Sequence, residues 1–239
     1  MSSLPPATEK LWHFARVQPA LAGFTLIGGT ALSLHLNHRI SEDLDFVWLG
    51  TRLPRAKLNS FRRIAENAGF HLRPNDDEAA IDEFSIAGME LHDYQQDFVV
   101  NEVVKLSFFT ADEAMSHVLS KSTAPAPVVA TLPELFKTKC LVSAIRSKTR
   151  DWLDLYLLMR EHGFTIRDYA EAFRQAGIAS QCDMGLARLC SGKPAAHDEG
   201  YQHLLKEAPS LEEMQSFFIE QRNRLETDTA AQAFRSKER

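Results

Sequence analysis

Cysteine is scarce in this 239-residue chain, with only Cys140, Cys182 and Cys190. An odd number, without CxxC or paired Cys/His spacing, excludes a disulfide frame and a zinc site. It predicts reduced, structural thiols in a cytoplasmic protein. No apolar run is long enough to span a bilayer, and the N-terminal MSSLPPATEK is polar and proline-containing, so neither a membrane anchor nor a secretory signal is expected. A basic excess is also absent. The net charge of −5 argues against a surface that coats nucleic acid, while leaving room for a small basic cleft. The histidines form no HxxxH or HExxH pattern and so offer no helical metal motif. What the chain does have is 44% hydrophobic residues, enough for a full core in one large domain or two small ones.

The pattern of those residues divides the chain. EKLWHFARVQPAL has helical spacing, FTLIG reads as a short buried strand, and TALSLHLNH as a helix that Thr30 is placed to cap. DLDFVWL is the next strand, followed by the helix PRAKLNSFRRIAENAGF with Pro54 near its first turn. HLRPN, IDEFSIAGMELHDYQ and FVVNEVVKLSFF read as strands and hairpins turning at Ala87-Gly88 and Asn101-Glu102. KSTAPAPVVATLP then suits a connector, and everything beyond it is helical: LPELFKTKCLVSAIRSK, RDWLDLYLLMREHG, TIRDYAEAFRQAG and SLEEMQSFFIEQRNRL, with Gly163 and Gly177 at expected C-caps and fraying from about Thr227. The expected class is therefore α+β. A mixed-sheet domain over residues 1–120 and a connector over 121–131 precede a helical bundle over 132–239, with the site expected in the cleft between the domains.

Chemistry concentrates in the run FTLIGGTALSLHLNHRISEDLDFVW. Gly28-Gly29-Thr30 is a turn whose backbone is able to approach a phosphate as it feeds a helix N-terminus, where free N–H groups and the dipole favour an anion. Asp43 and Asp45 stand at i and i+2, so in a strand they share a face about 6.5–7 Å apart. Aspartate is a poor strand former, and two in one short strand suggest a hard divalent cation, Mg²⁺ or alternatively Mn²⁺. A phosphate cradle beside a metal-binding carboxylate pair points to nucleotide chemistry.

GGTALSLHLNHRISEDLDF resembles the signature of the AbiEii/AbiGii toxin-type nucleotidyltransferases, a branch of the polymerase-beta-like superfamily. There a GG[ST] turn and an HRxSxDLD segment carry the metal and the triphosphate. The matching residues are Gly28, Gly29, Thr30, Arg39, Ser41, Asp43 and Asp45. A second block resembles the family's KxxAxxxRxxxRDxxDLYxL, here Lys139, Arg146, Arg150, Asp151, Asp154 and Tyr156. The resemblance implies that Lys139 contacts the triphosphate and that Arg146 or Arg150 neutralises phosphate or holds Asp151 and Asp154. Asp151 would then orient or deprotonate the acceptor. Read by spacing alone, Arg146, Arg150 and Asp154 line one helical face or successive turns, and Trp152, Leu155, Tyr156 and Met159 belong to the bundle core.

One departure concerns the third carboxylate that many members of the superfamily carry on a neighbouring strand. In VVKLSFF the polar face offers Lys105, Ser107 and Phe109, and Ser107 stands where the acid would be. Either Asp151, Asp93 or Asp97 takes that role, or one metal suffices, or activity is reduced. Lys105 is expected on the same face, either offsetting substrate charge or snorkelling at an edge.

The implied activity is transfer of an NMP from an NTP to an acceptor hydroxyl, with Mg²⁺ held by Asp43 and Asp45. The implied role is the toxin of a toxin–antitoxin or phage-defence pair, with tRNA or another macromolecule as acceptor and a cognate antitoxin as partner. The alternatives are a non-catalytic nucleotide-binding or protein-interaction module on the same fold, and modification of a small hydroxylated antibiotic.

Overall fold

Alternation of buried and half-exposed residues along residues 95–110 builds the centre of a six-stranded sheet. The computed structural model describes residues 4–237, and the chain divides into two units after Leu135. In the first unit, α1 (Pro6–Ala15), β1 (Phe24–Ile27), α2 (Gly28–Leu36), β2 (Leu44–Trp48), α3 (Arg55–Asn67) and β3 (Leu72–Pro74) come first. They are followed by α4 (Glu78–Ile86), β4 (Gln95–Val100), β5 (Val104–Thr110), α5 (Glu113–Val118) and β6 (Val128–Val129). The strand order is β3-β4-β5-β2-β1-β6. The sheet is mixed, because β2 pairs parallel with β5 and β1 parallel with β6 while the other neighbours run antiparallel.

One face of this sheet is an aromatic core. Phe108 on β5 stacks on Phe46 of β2 at 5.5 Å and meets Phe61 of α3 edge-on at 5.7 Å, while Trp12 of α1 lies 6.4 Å from Phe46. With Leu44 and Phe46 fully buried there, Asp45 between them must face the other way, as the alternation requires.

Several local expectations change. The segment IDEFSIAG, read as a strand, is α4, because the Asp77 side chain accepts a hydrogen bond from the Ala79 N–H and caps a helix there. The Asn101-Glu102 turn is as expected, with both residues at positive φ between β4 and β5. Residues 121–131, read as a connector, contain β6, which adds an edge strand to β1.

The second unit is helical. α6 (Leu132–Ser143), within which the division falls, is followed by α7 (Thr149–Glu161), α8 (Ile166–Gln175), α9 (Cys182–Ser191) and α10 (Leu211–Lys237). α6 stops at Ser143, short of the expected Lys148, and α10 runs on through Lys237 where fraying was expected. Gly163 and Gly177 take positive φ just past α7 and α8, as C-cap glycines do. Trp152, Leu155, Tyr156 and Phe173 fill the core, and Phe136 stacks on Phe164 at 4.3 Å. The three cysteines are free and buried. Burial pushes the Cys140 thiol well up and the Cys182 thiol up to about 11, so both stay protonated and unreactive at neutral pH.

Candidate active site

At Gly28 the strand-to-helix turn after β1 takes a left-handed backbone that favours glycine. Gly28 has φ +77°, and a Cβ placed on it would stand 2.7 Å from the Asp45 carboxylate oxygen Oδ2. Gly29 faces the Arg39 guanidinium, and its Cβ would stand 2.9 Å from the Ser41 hydroxyl. The turn is therefore packed directly against Asp45 on one side and against the following loop on the other. Gly28→Ala combines a left-handed backbone with a displaced Asp45. It is expected to lower the unfolding free energy by roughly 1–2 kcal/mol, measured by urea denaturation, with a larger proportional loss of activity.

Thr30 has a different task from the expected one. α2 begins at Gly28, no side chain caps it, and Thr30 is buried in its first turn. Its hydroxyl reaches the Asp43 carbonyl and lies 2.9 Å from the Ser41 hydroxyl. A carbonyl only accepts, so Thr30 donates to Asp43, which leaves Ser41 to donate to Thr30. Two more bonds hold the loop before β2. Ser33 Oγ donates to the Arg39 carbonyl at 3.0 Å, and Thr8 Oγ1 of α1 donates to the Glu42 carbonyl at 3.0 Å. Arg39 itself is 5% exposed, and its guanidinium donates to the Ile40 carbonyl at 3.0 Å. The HRISED loop is thus pinned by hydroxyls from α1 and α2, and the pinning holds Asp43 just ahead of β2. Nothing in the sequence marked Thr8 or Ser33, because each acts on a carbonyl distant in the chain.

Strand register aligns a polar row on the open face: Asp45 on β2, Ser107 on β5 and Asp97 on β4 pair in succession. Ser107 therefore stands directly beside Asp45 across the β2–β5 pair. The acid one strand further, Asp97, lies roughly 9–10 Å from Asp45 backbone to backbone at ordinary strand spacing. Asp93 is elsewhere, paired with Arg52 at 3.0 Å and Arg55 at 2.6 Å. Lys105 is exposed, because the face on which it lies is open at that end of β5. A cavity of about 560 Å³ opens over the row and is lined by Asp45, Ser107, Asp97, Tyr94, Phe84 and Phe109 among others.

The donor chemistry here fits a hard cation shared with a substrate. Among the described residues no group of three or more His, Cys, Asp or Glu is placed to hold a metal. Mg²⁺ commonly takes one or two carboxylates and completes its shell with water and substrate phosphate. Two half-buried carboxylates near the α2 N-terminus are compatible in number and kind with that pattern.

In the second unit the structure brings together four of the predicted residues. Lys139 Nζ lies 2.6 Å from Asp151 Oδ1 and 2.7 Å from Asp154 Oδ2, and Arg146 Nε donates to Asp151 Oδ2 at 2.8 Å. Lys139, Asp151 and Asp154 are 6%, 2% and 0% exposed. Burial pushes the Asp151 carboxyl up, but the charges of Lys139 and Arg146 outweigh it and hold the group below the usual carboxylate range. Arg146 is not on a helix shared with Arg150. It occupies the turn between α6 and α7, because α6 has already ended. Arg150 turns away, donating to the Gly200 carbonyl at 3.1 Å and pairing with Glu199 at 3.1 Å.

A glycine turn abutting a strand carboxylate, followed by a pinned HRxSxDLD loop, is the arrangement on which comparison with known proteins bears. The model of the family described as "Nucleotidyl transferase AbiEii toxin, Type IV TA system" matches residues 14–237. The chain belongs to the AbiEii nucleotidyltransferase toxin family. Among solved structures it is similar to MenT4, a nucleotidyltransferase toxin from Mycobacterium tuberculosis, with TM-score 0.54 and 14% identity over 88% of this chain and 81% of that one. It is also similar to JHP933 from Helicobacter pylori, with TM-score 0.48 and 18% identity over 96% and 97% of the two chains. At such identity the likeness to MenT4 establishes the fold: a mixed sheet followed by helices. No functionally curated protein matches the sequence. No helix among the described residues is long and apolar enough to cross a membrane.

Proposed function

We propose that this AbiEii-family protein transfers an NMP from an NTP to an acceptor hydroxyl. The observation that carries the reading is the Gly28–Gly29 turn set against Asp45, which leaves backbone N–H groups at the α2 N-terminus beside a carboxylate pair. Asp43 and Asp45 would hold Mg²⁺, which when bound supplies positive charge to the triphosphate oxygens. The chain's own part is placement. The turn binds phosphate, the Thr8, Thr30 and Ser33 bonds keep Asp43 in register, and Arg39 and Ser41 close the loop behind the turn. In the transfer the acceptor oxygen forms a bond to the α-phosphorus, the bond from that phosphorus to the bridging oxygen breaks, and pyrophosphate leaves with the electron pair. The hydroxyl proton is released to solvent. Positioning and charge account for most of the rate in such chemistry.

In the second unit, Lys139 pairs with both Asp151 and Asp154 and holds them in place. Arg146, half exposed, pairs with Asp151 in that cluster. The family description supports a toxin role with an antitoxin partner, and the acceptor we propose to test first is tRNA. Ser107 beside Asp45 favours one rival reading, a nucleotide-binding module without catalysis. The experiment is to incubate the protein with each α-³²P-labelled NTP, Mg²⁺ and total RNA or cell protein. Label on RNA or protein that disappears with EDTA is the expected result. Binding of NTP without any transfer identifies the rival.

A further inference from the structure

Behind β4, on the face of the sheet away from Asp45, α3 borders a second cavity that the proposed transfer does not use. Side chains alternate along β4, so Asp97 joins the open row while its neighbours Gln96 and Phe98 turn to the buried side. Arg55, Asn59 and Arg62 stand at i, i+4 and i+7 of α3, on one helical face. With Gln96 and Phe98 they line a space of about 180 Å³. Pockets for drug-sized ligands run to about 300–1,000 Å³, so the guest here is a small ion.

The helix wall is cationic. Arg62 lies over the Phe98 ring at 5.2 Å, its Nε is buried with no hydrogen-bond partner, and it forms no ion pair among the described residues. Arg55 gives its Nε to Asp93 at 2.6 Å, but that carboxylate is shared with Arg52 and cannot neutralise both. The carboxylate in the lining, Asp76, is already engaged. Its Oδ2 lies 3.0 Å from His92 Nε2, and its Oδ1 accepts from the Asp97 N–H at 2.9 Å. These charges call for an anion.

The floor selects among anions. Gln96 is 8% exposed, and its Nε2 donates to the His92 carbonyl at 3.0 Å. Its Oε1 has no donor among the described residues and is the acceptor left for a guest. An acceptor in an anion site is satisfied only by an anion that carries its own proton. Sulfate and carboxylates carry none at neutral pH. Phosphate monoesters, with a second pKa of about 6, have mostly lost theirs. Inorganic phosphate keeps at least one O–H across the neutral range.

We propose that this cavity binds inorganic phosphate. Arg62, Arg55 and Asn59 donate to its oxygens, and its own O–H donates to Gln96 Oε1. The site is separate from the turn at Gly28 and does not depend on the transferase reading.

The test is calorimetric titration of the purified protein near neutral pH with inorganic phosphate, sulfate and glycerol 3-phosphate, with and without a saturating non-hydrolysable NTP. Saturable phosphate binding that the NTP leaves in place is expected, with sulfate and glycerol 3-phosphate about 10-fold weaker or more, as the loss of one hydrogen bond to a charged group implies. Arg62→Gln should weaken phosphate by about 10-fold or more, with thermal denaturation in phosphate-free buffer as the check on folding. Gln96→Met keeps the bulk and removes the acceptor, so phosphate and sulfate should then bind with similar affinity. Equal weakening of both anions in Gln96→Met, or sulfate binding the wild type as tightly as phosphate, overturns the assignment of phosphate. Phosphate binding that the NTP displaces and Arg62→Gln leaves unchanged belongs to the α2 turn and overturns the site, as does the absence of saturable binding at millimolar phosphate. If Arg62→Gln does not fold, Arg62→Lys decides it: the charge stays, the planar fork is lost, and an unchanged phosphate affinity overturns the site.

Discussion

Asp45→Ala is expected to reduce nucleotidyl transfer by about 10³-fold, which is what several kcal/mol of lost charge stabilisation at a transferring phosphoryl group amounts to. Asp45 sits in the middle of the sheet, between Ile27 and Ser107, yet its side chain is on the open face and carries none of the aromatic core. Removing it leaves Phe46 stacked on Phe108, so the melting temperature should move by only a few degrees. Asp45→Asn keeps the shape against Gly28 and removes the charge. It should be nearly as inactive as Asp45→Ala if charge is the essential property, and distinctly more active if the side chain only fills space. Steady-state label transfer and thermal denaturation on the same preparations separate these outcomes. Retained full activity in Asp45→Ala would remove the metal assignment.

Lys139→Met is expected to act on stability first. It takes the cation from between two carboxylates that are nearly inaccessible to water, and breaking one side of a buried ion cluster typically costs about 3–5 kcal/mol. For a unit of this size that corresponds to a fall in melting temperature of roughly 10 °C or more. Lys139→Met combined with Asp154→Leu should recover part of the loss, because the uncompensated charge is then gone, whereas two independent sites would simply add. A Lys139→Met protein that melts like wild type but transfers no label would mean that the lysine serves substrate and not the carboxylates.

The same cluster sets a pH dependence. Asp151 is held below the ordinary carboxylate range, so its contribution is fully present above the unfolded-state pKa and disappears as pH falls through the depressed value. Arg146→Gln removes one of the two charges that depress it. The loss on acidification should then be smaller in that variant and complete at a higher pH, while still setting in at the unfolded-state pKa.

Short-range features were legible in the chain. The FVV…NE…VVK hairpin depends on contacts within a few residues and is where its spacing placed it, whereas of the DLD pair Asp45 lies in β2 and Asp43 just precedes the strand. The segment at 81–88 misled because Phe84 and Ile86 alternate as in a strand, while the Asp77 cap that starts the helix lies outside that alternation. The second block misled by one turn of helix. The basic and acidic residues from Lys139 to Asp154 look continuous in spacing, but the break after Ser143 puts Arg146 on a connecting turn and sends Arg150 to Glu199.

The AbiEii family motif, with its glycine turn and its two aspartates, was determined by the sequence alone, since it is a property of residue type and local spacing. Which residues stand beside that pair was decided only by the tertiary structure. Ser107 and Asp97 come into the row with Asp45 through a parallel pairing and then an antiparallel one, and Thr8 and Ser33 fix the loop by bonding to carbonyls. Backbone carbonyls and strand registers carry no side-chain signature. The Gly28–Asp45 contact, which turns a flexible glycine pair into a shaped cradle, becomes visible only once β1 and β2 have paired.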